Sequence, residues 1–112
     1  MKTLNVQVQP DRAPNLDAAQ GKAVMAALQS VTGVVQYAVD EGDDNGPYLN
    51  FFYETRDLAA LWQAIQKVIN ASDAFAEVLR TASLVVCEGE HGWDDYLLLY
   101  HFDTSLELDK IA

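Results

Sequence analysis

The stretch VVQYAVDEGDDNGPYLNFFYE, residues 34–54, decides the fold. Its two β-prone runs, 34–40 and 48–54, flank four carboxylates, two glycines and Asn45 placed ahead of Pro47, so it reads as a hairpin whose tip is acidic. Facing Val35, Tyr37 and Val39 against Tyr53, Phe51 and Leu49 collects the large apolar side chains on one face. A shift of one residue would set Tyr37 against Asn50 and split the aromatic set between faces, so the pattern selects the first register. That register predicts a long, bulged loop in which Asn45 and Gly46 take the positive φ angles.

Working outward, Leu4, Val6 and Val8 alternate with Asn5, Gln7 and Gln9, which predicts a strand with one buried and one wet face. A loop between Pro10 and Pro14 ends it. Asn15 or Asp17 then caps a helix carrying Leu16, Val24, Ala27, Leu28 and Val31, and Gly33 stops it. Beyond the hairpin, Thr55 or Asp57 caps the clearest helix, with Leu58, Leu61, Trp62, Ile65, Val68 and Ile69 on one stripe. A shorter helical turn follows Ser72 or Asp73 with Phe75, Val78 and Leu79. Residues 83–88 and 96–102 form a second hairpin joined through GEHGWDD.

The order strand, helix, strand, strand, helix, strand, strand predicts an α+β two-layer sandwich, ferredoxin-like β-α-β-β-α-β with an additional C-terminal edge strand. The 112 residues suit a single domain over 1–112. In that topology the two acidic hairpin tips emerge at opposite ends of the sheet.

Nine residues, DLAALWQAI at 57–65, are similar to a helix stretch of barstar-type ribonuclease inhibitors. The order of the other elements is not that family's, and no residue role is carried over.

Composition narrows the function. The chain carries 17 acidic against 7 basic residues, a formal charge of −10. No Lys or Arg lies between Lys22 and Arg56 or between Arg80 and Lys110. Those two windows hold Asp40, Glu41, Asp43 and Asp44, then Glu88, Glu90, Asp94 and Asp95, a pattern that repels phosphate backbones and disfavours nucleic acid and anionic membranes. A lone cysteine, Cys87, and the absence of a long apolar run predict a cytoplasmic protein without a disulfide framework.

Specific chemistry is sparse. Setting Gly46 as the obligatory glycine of a calcium loop makes Glu41, Asp43 and Asn45 the first ligands. The twelfth position is then Phe52 where a bidentate Glu is required, so no metal site is expected. A Cys87–His101 dyad fails on spacing, because Cys87 is expected opposite Tyr96 and His101 near Ala82, about 16 Å apart along the strand. His91 reads as a turn histidine among Glu90, Asp94 and Asp95. Neither catalytic residues nor a cofactor are expected.

Two functional readings remain. In the first, a small acidic protein-interaction domain of the inhibitor or immunity type binds a basic partner through Asp40, Glu41, Asp43, Asp44, Tyr48, Glu90, Trp93, Asp94, Asp95 and Tyr96. Its carboxylates steer encounter and its aromatics anchor the contact. In the second, a homodimer formed through the open sheet face or edge strand binds or transforms a small molecule between sheet and helices, using Tyr37, Tyr53, His101 or Cys87. The run YLLLYHF, residues 96–102, is apolar on both faces, so a tail, a second copy or a partner must cover one row of it.

Overall fold

The computed structural model describes residues 1–111. The chain is α+β, with a five-stranded antiparallel sheet and three helices. In chain order these are β1 (Lys2–Val8), α1 (Ala18–Ala27), β2 (Val34–Asp43), β3 (Pro47–Thr55), α2 (Leu58–Ile69), α3 (Ala74–Ala82), β4 (Ser83–Gly89) and β5 (Gly92–His101). Short 3₁₀ turns at Pro10–Arg12 and Leu28–Ser30 flank α1.

The sheet order is β2-β3-β1-β4-β5. β1 pairs β3 on one side, Val8 opposite Leu49, and β4 on the other, Val8 opposite Ser83 and Leu4 opposite Cys87. The alternation in β1 therefore sets both central faces. Leu4, Val6 and Val8 join Leu49, Phe51, Tyr53, Val85 and Cys87 under the helices, where Met25, Leu61, Ile65, Phe75 and Leu79 close the core. Asn5 and Gln7 fall on the opposite face with Asn50 and Phe52.

All three helices begin on an aspartate. The carboxylates of Asp17, Asp57 and Asp73 accept from the backbone N–H of Gln20, Ala60 and Ala76 at 2.8 to 3.0 Å, satisfying donors that the first helical turn leaves free. On α1 the buried side is Gly21 and Met25, and Ala27 is exposed, so the stripe expected through Ala27 is rotated. α3 is a full nine-residue helix rather than a short turn. Arg80 fixes it to α2 by donating to the carbonyls of Ile69 and Ala71.

The first hairpin keeps its expected faces but not its expected register. Tyr37 lies opposite Tyr53 and Val39 opposite Phe51, a slip of two residues, with Asp43 paired to Pro47. The loop is short, not long: only Asp44, Asn45 and Gly46 lie outside the strands, and Asn45 (φ 57°) and Gly46 (φ 137°) make the reversal. The bulge sits at the other end, between Val34 and Gln36, and Val35 becomes the extra residue. Hence Val35 is 47% exposed, and Val39, on the edge strand of the sheet, is 41% exposed.

In the second hairpin, Glu90 and His91 alone make the turn between Gly89 and Gly92. Cys87 faces Leu97, and His101 faces Leu84. Register shifts break the period of two on β5, so Leu97 and Tyr100 share the helix side with Cys87 and Val85 while Leu98 and His101 face the other way. The expectation of one uniform row to be covered is corrected accordingly. The tail does the covering: Ile111 packs against the core, and Leu99 is buried beside Trp62, Leu108 and Ile111.

Candidate partner-binding surfaces

Register places the two acidic tips. The β2–β3 tip lies beyond Val8, and the β4–β5 tip lies beyond Lys2, whose ammonium donates to the Gly89 carbonyl. They stand at opposite ends of β1, so they form two surfaces.

At the β2–β3 tip, Glu41 is engaged by Lys22 of α1, and Asp43 accepts from the Gly46 amide at 3.2 Å. Among the described residues, Asp40 and Asp44 have neither an ion pair nor a hydrogen-bond partner for their carboxylates. Tyr48 lays its ring across Gly42, where a Cβ would stand 2.2 Å from the hydroxyl. The ring is half-buried by this contact, so it is a fixed wall and not a free anchor.

A polar ladder runs from this tip across the open sheet face. Arg12 Nε donates to Gln9 Oε1 (2.7 Å), Gln9 to Gln7 Oε1 (3.1 Å), and both Gln7 and Asn5 donate to Asn50 Oδ1 at 3.1 and 3.3 Å. The Arg12 guanidinium also lies 3.9 Å from the Phe102 ring centroid, a cation–π contact. Between ladder and tip opens a cleft of about 370 Å³ lined by Gln7, Gln9, Asp11, Arg12, Asp44 and Tyr48 among others. Asn5 Oδ1 is buried at the ladder's end without a partner. The alternation of Asn5, Gln7 and Gln9 signalled a wet face, but the stacking of Arg12 on Phe102 had no local signal, because the two residues are 90 positions apart in the sequence.

The β4–β5 tip is built differently. Four residues, Trp93, Asp94, Asp95 and Tyr96, bulge opposite the single residue Glu88. Glu88 is engaged by the Thr3 amide at 2.7 Å. The Asp95 carboxylate folds back to accept from the His91 amide at 2.9 and 3.1 Å and to meet its ring nitrogen at 3.1 Å. Glu90 and Asp94 are left without partners among the described residues. Trp93 and Tyr96 stand 44% and 56% exposed beside them.

Partial desolvation pushes the Asp95 carboxyl up, but the His91 amide and ring outweigh it and hold it below the ordinary value of 3.8. A depressed folded-state value means that this contact is intact above 3.8 and lost as pH falls through the lowered value. Carbon-13 titration of Asp95 should therefore give a midpoint below 3.8. In His91→Ala the amide persists and the ring is gone, so the midpoint should move only part of the way back. A midpoint unmoved by the substitution would show that the ring plays no part.

Residues suited to a pocket chemistry do not converge. Tyr53 donates from its hydroxyl to the Met25 carbonyl at 2.7 Å, and burial, with Tyr37 beside it, raises its phenol far above the ordinary range. Leu4 lies between Tyr53 and Cys87 across the sheet. Burial pushes the Cys87 thiol up to about 11, the wrong direction for a nucleophile. His101 faces away on the open side, opposite Leu84. It is three residues from Cys87's level on β4, about 10 Å along the strand, so the dyad fails in the structure as it does on spacing. Among the described residues, no group of three or more His, Cys, Asp or Glu is placed to hold a metal ion, and no helix is long and apolar enough to cross a membrane.

Compared with protein-family models, curated proteins and solved structures, the chain matches none.

Proposed function

We propose that this chain is a small acidic interaction domain that binds a basic partner protein, in the manner of a cytoplasmic inhibitor or immunity-type antidote. Its architecture is then ferredoxin-like with one added edge strand. The interleaving of β3 between β1 and β2, and of β1 between β3 and β4, supports that assignment.

One observation carries the functional reading: Trp93 and Tyr96 are held out on a bulged tip beside Glu90 and Asp94, whose charge no cation among the described residues pairs with. Unpaired carboxylates keep their field available to a basic surface and accelerate encounter, while exposed aromatics supply area that becomes dry on contact. The β2–β3 tip repeats the electrostatic part with Asp40 and Asp44 at the other end. Asp40, Glu41, Asp43, Asp44, Tyr48, Glu90, Trp93, Asp94, Asp95 and Tyr96 all belong to this proposal, but not equally. Glu41, Asp43 and Asp95 shape their tips, and Tyr48 walls the cleft.

The test is capture of a basic protein from native extract at low ionic strength, followed by kinetics on the purified pair. Trp93→Ala should weaken binding about tenfold through faster dissociation. Glu90→Gln with Asp94→Asn should slow association about tenfold and flatten its salt dependence. Retention of no basic protein, or identical kinetics for all variants, would end the proposal for this tip.

A further inference from the structure

The two edges of the sheet are finished differently. On β5 the tail acts as a neighbouring strand: the Asp109 amide donates to the Leu98 carbonyl at 2.8 Å, and its carboxylate accepts from the Leu98 amide at 2.8 Å. On β2, no described residue bonds the outward backbone groups between Val35 and Gly42. Alternate residues of an antiparallel edge strand turn both N–H and C=O outward, and such a row is a template for another strand. What guards this edge is acidic charge, Asp40, Glu41 and Asp43, which repels another acidic strand and not a basic one. The ten residues of β2 contain no proline and no lysine, and the one bulge lies at its start. Val35 and Val39 are exposed along this edge at 47% and 41%.

Charge decides what fits. A second copy would bring another chain of net charge −10 and set its own Asp40, Asp43 and Asp44 into the same field. A basic segment meets the opposite situation, since the Asp40 and Asp44 carboxylates have no partner among the described residues. We infer that the free edge of β2 accepts an extended basic segment of the partner protein as a sixth strand. Its apolar side chains cover Val35 and Val39, and its lysines or arginines reach Asp40 and Asp44. Main-chain bonds give this mode its affinity and alternate side chains its selectivity. The inference rests on the basic-partner reading but uses the end of the sheet remote from Trp93.

The probe is a short peptide alternating valine and lysine, added to the isotopically labelled full chain and compared with the same peptide N-methylated at alternate amides. Methylation keeps the charge and removes the donors. The expected result is slowed hydrogen exchange at outward amides of β2, with the methylated peptide binding about tenfold more weakly. Equal binding of both peptides would overturn strand addition while leaving charge-driven partner binding intact. Binding of neither would also overturn strand addition, and the kinetics of the Trp93 and Asp94 variants would then decide the broader reading separately. Protection of β2 amides by a concentration-dependent dimer, without peptide, would assign the edge to a second copy and overturn the inference.

Discussion

Phe51→Ala is expected to remove about 3–5 kcal/mol of stability, read as a lower urea midpoint at unchanged slope. Phe51 is 1% exposed at the centre of β3, with Val6 opposite on β1 and Val39 on β2. Truncation removes the apolar transfer energy and leaves a cavity that neighbours on two strands cannot fill without breaking register. For a domain whose total stability is about 5–15 kcal/mol, that loss brings the fold to its margin. The adjacent residue supplies the control. Phe52 has the same side chain but points to the open face, where it is half-exposed opposite Ala38 and Asn5. Phe52→Ala should cost about 1 kcal/mol or less. Equal losses at 51 and 52 would contradict the assignment of faces; a large loss only at 52 would invert it.

The same pair shows what could be read in advance. The face of each residue in β3 follows from alternation, and a slip of two residues leaves faces unchanged, so the core row Leu49, Phe51 and Tyr53 was legible despite the wrong register. The register itself was not. It depends on where the extra residue goes, and nothing in VVQ distinguishes a bulge at Val35 from a loose loop around Asp44. β5 was harder for the same reason, because its register shifts destroy the period of two on which strand reading depends. Among site residues, the acids were legible as a set but not in their engagement. Glu41 is paired with Lys22 of α1, and Glu88 accepts from the Thr3 amide near the other end of the sequence. Only tertiary structure separates Asp40, Asp44, Glu90 and Asp94 from their occupied neighbours.

Gly89→Val is expected to cost about 3 kcal/mol and to release the aromatic tip, because position 89 is held by space and not by backbone conformation. An added Cβ would stand 2.1 Å from the Asp95 carbonyl oxygen and 2.9 Å from its carbon, both backbone atoms that cannot rotate away. The bulge of Trp93 to Tyr96 must therefore lift from β4, and the Asp95 contacts to His91 must break with it. Gly92, at the far side of the same turn, has the opposite constraint: its φ is +83°, and an added Cβ meets nothing nearer than 3.7 Å. Gly92→Ala should cost only about 1 kcal/mol, through backbone strain, and leave the bulge in place. Tryptophan fluorescence separates the two. With Trp62 replaced by Phe so that Trp93 reports alone, Gly89→Val should red-shift the emission and increase quenching, and Gly92→Ala should change neither. If Gly89→Val leaves Trp93 unmoved and binding unweakened, the bulge does not present the anchor, and the contact surface must be sought at the β2 edge instead.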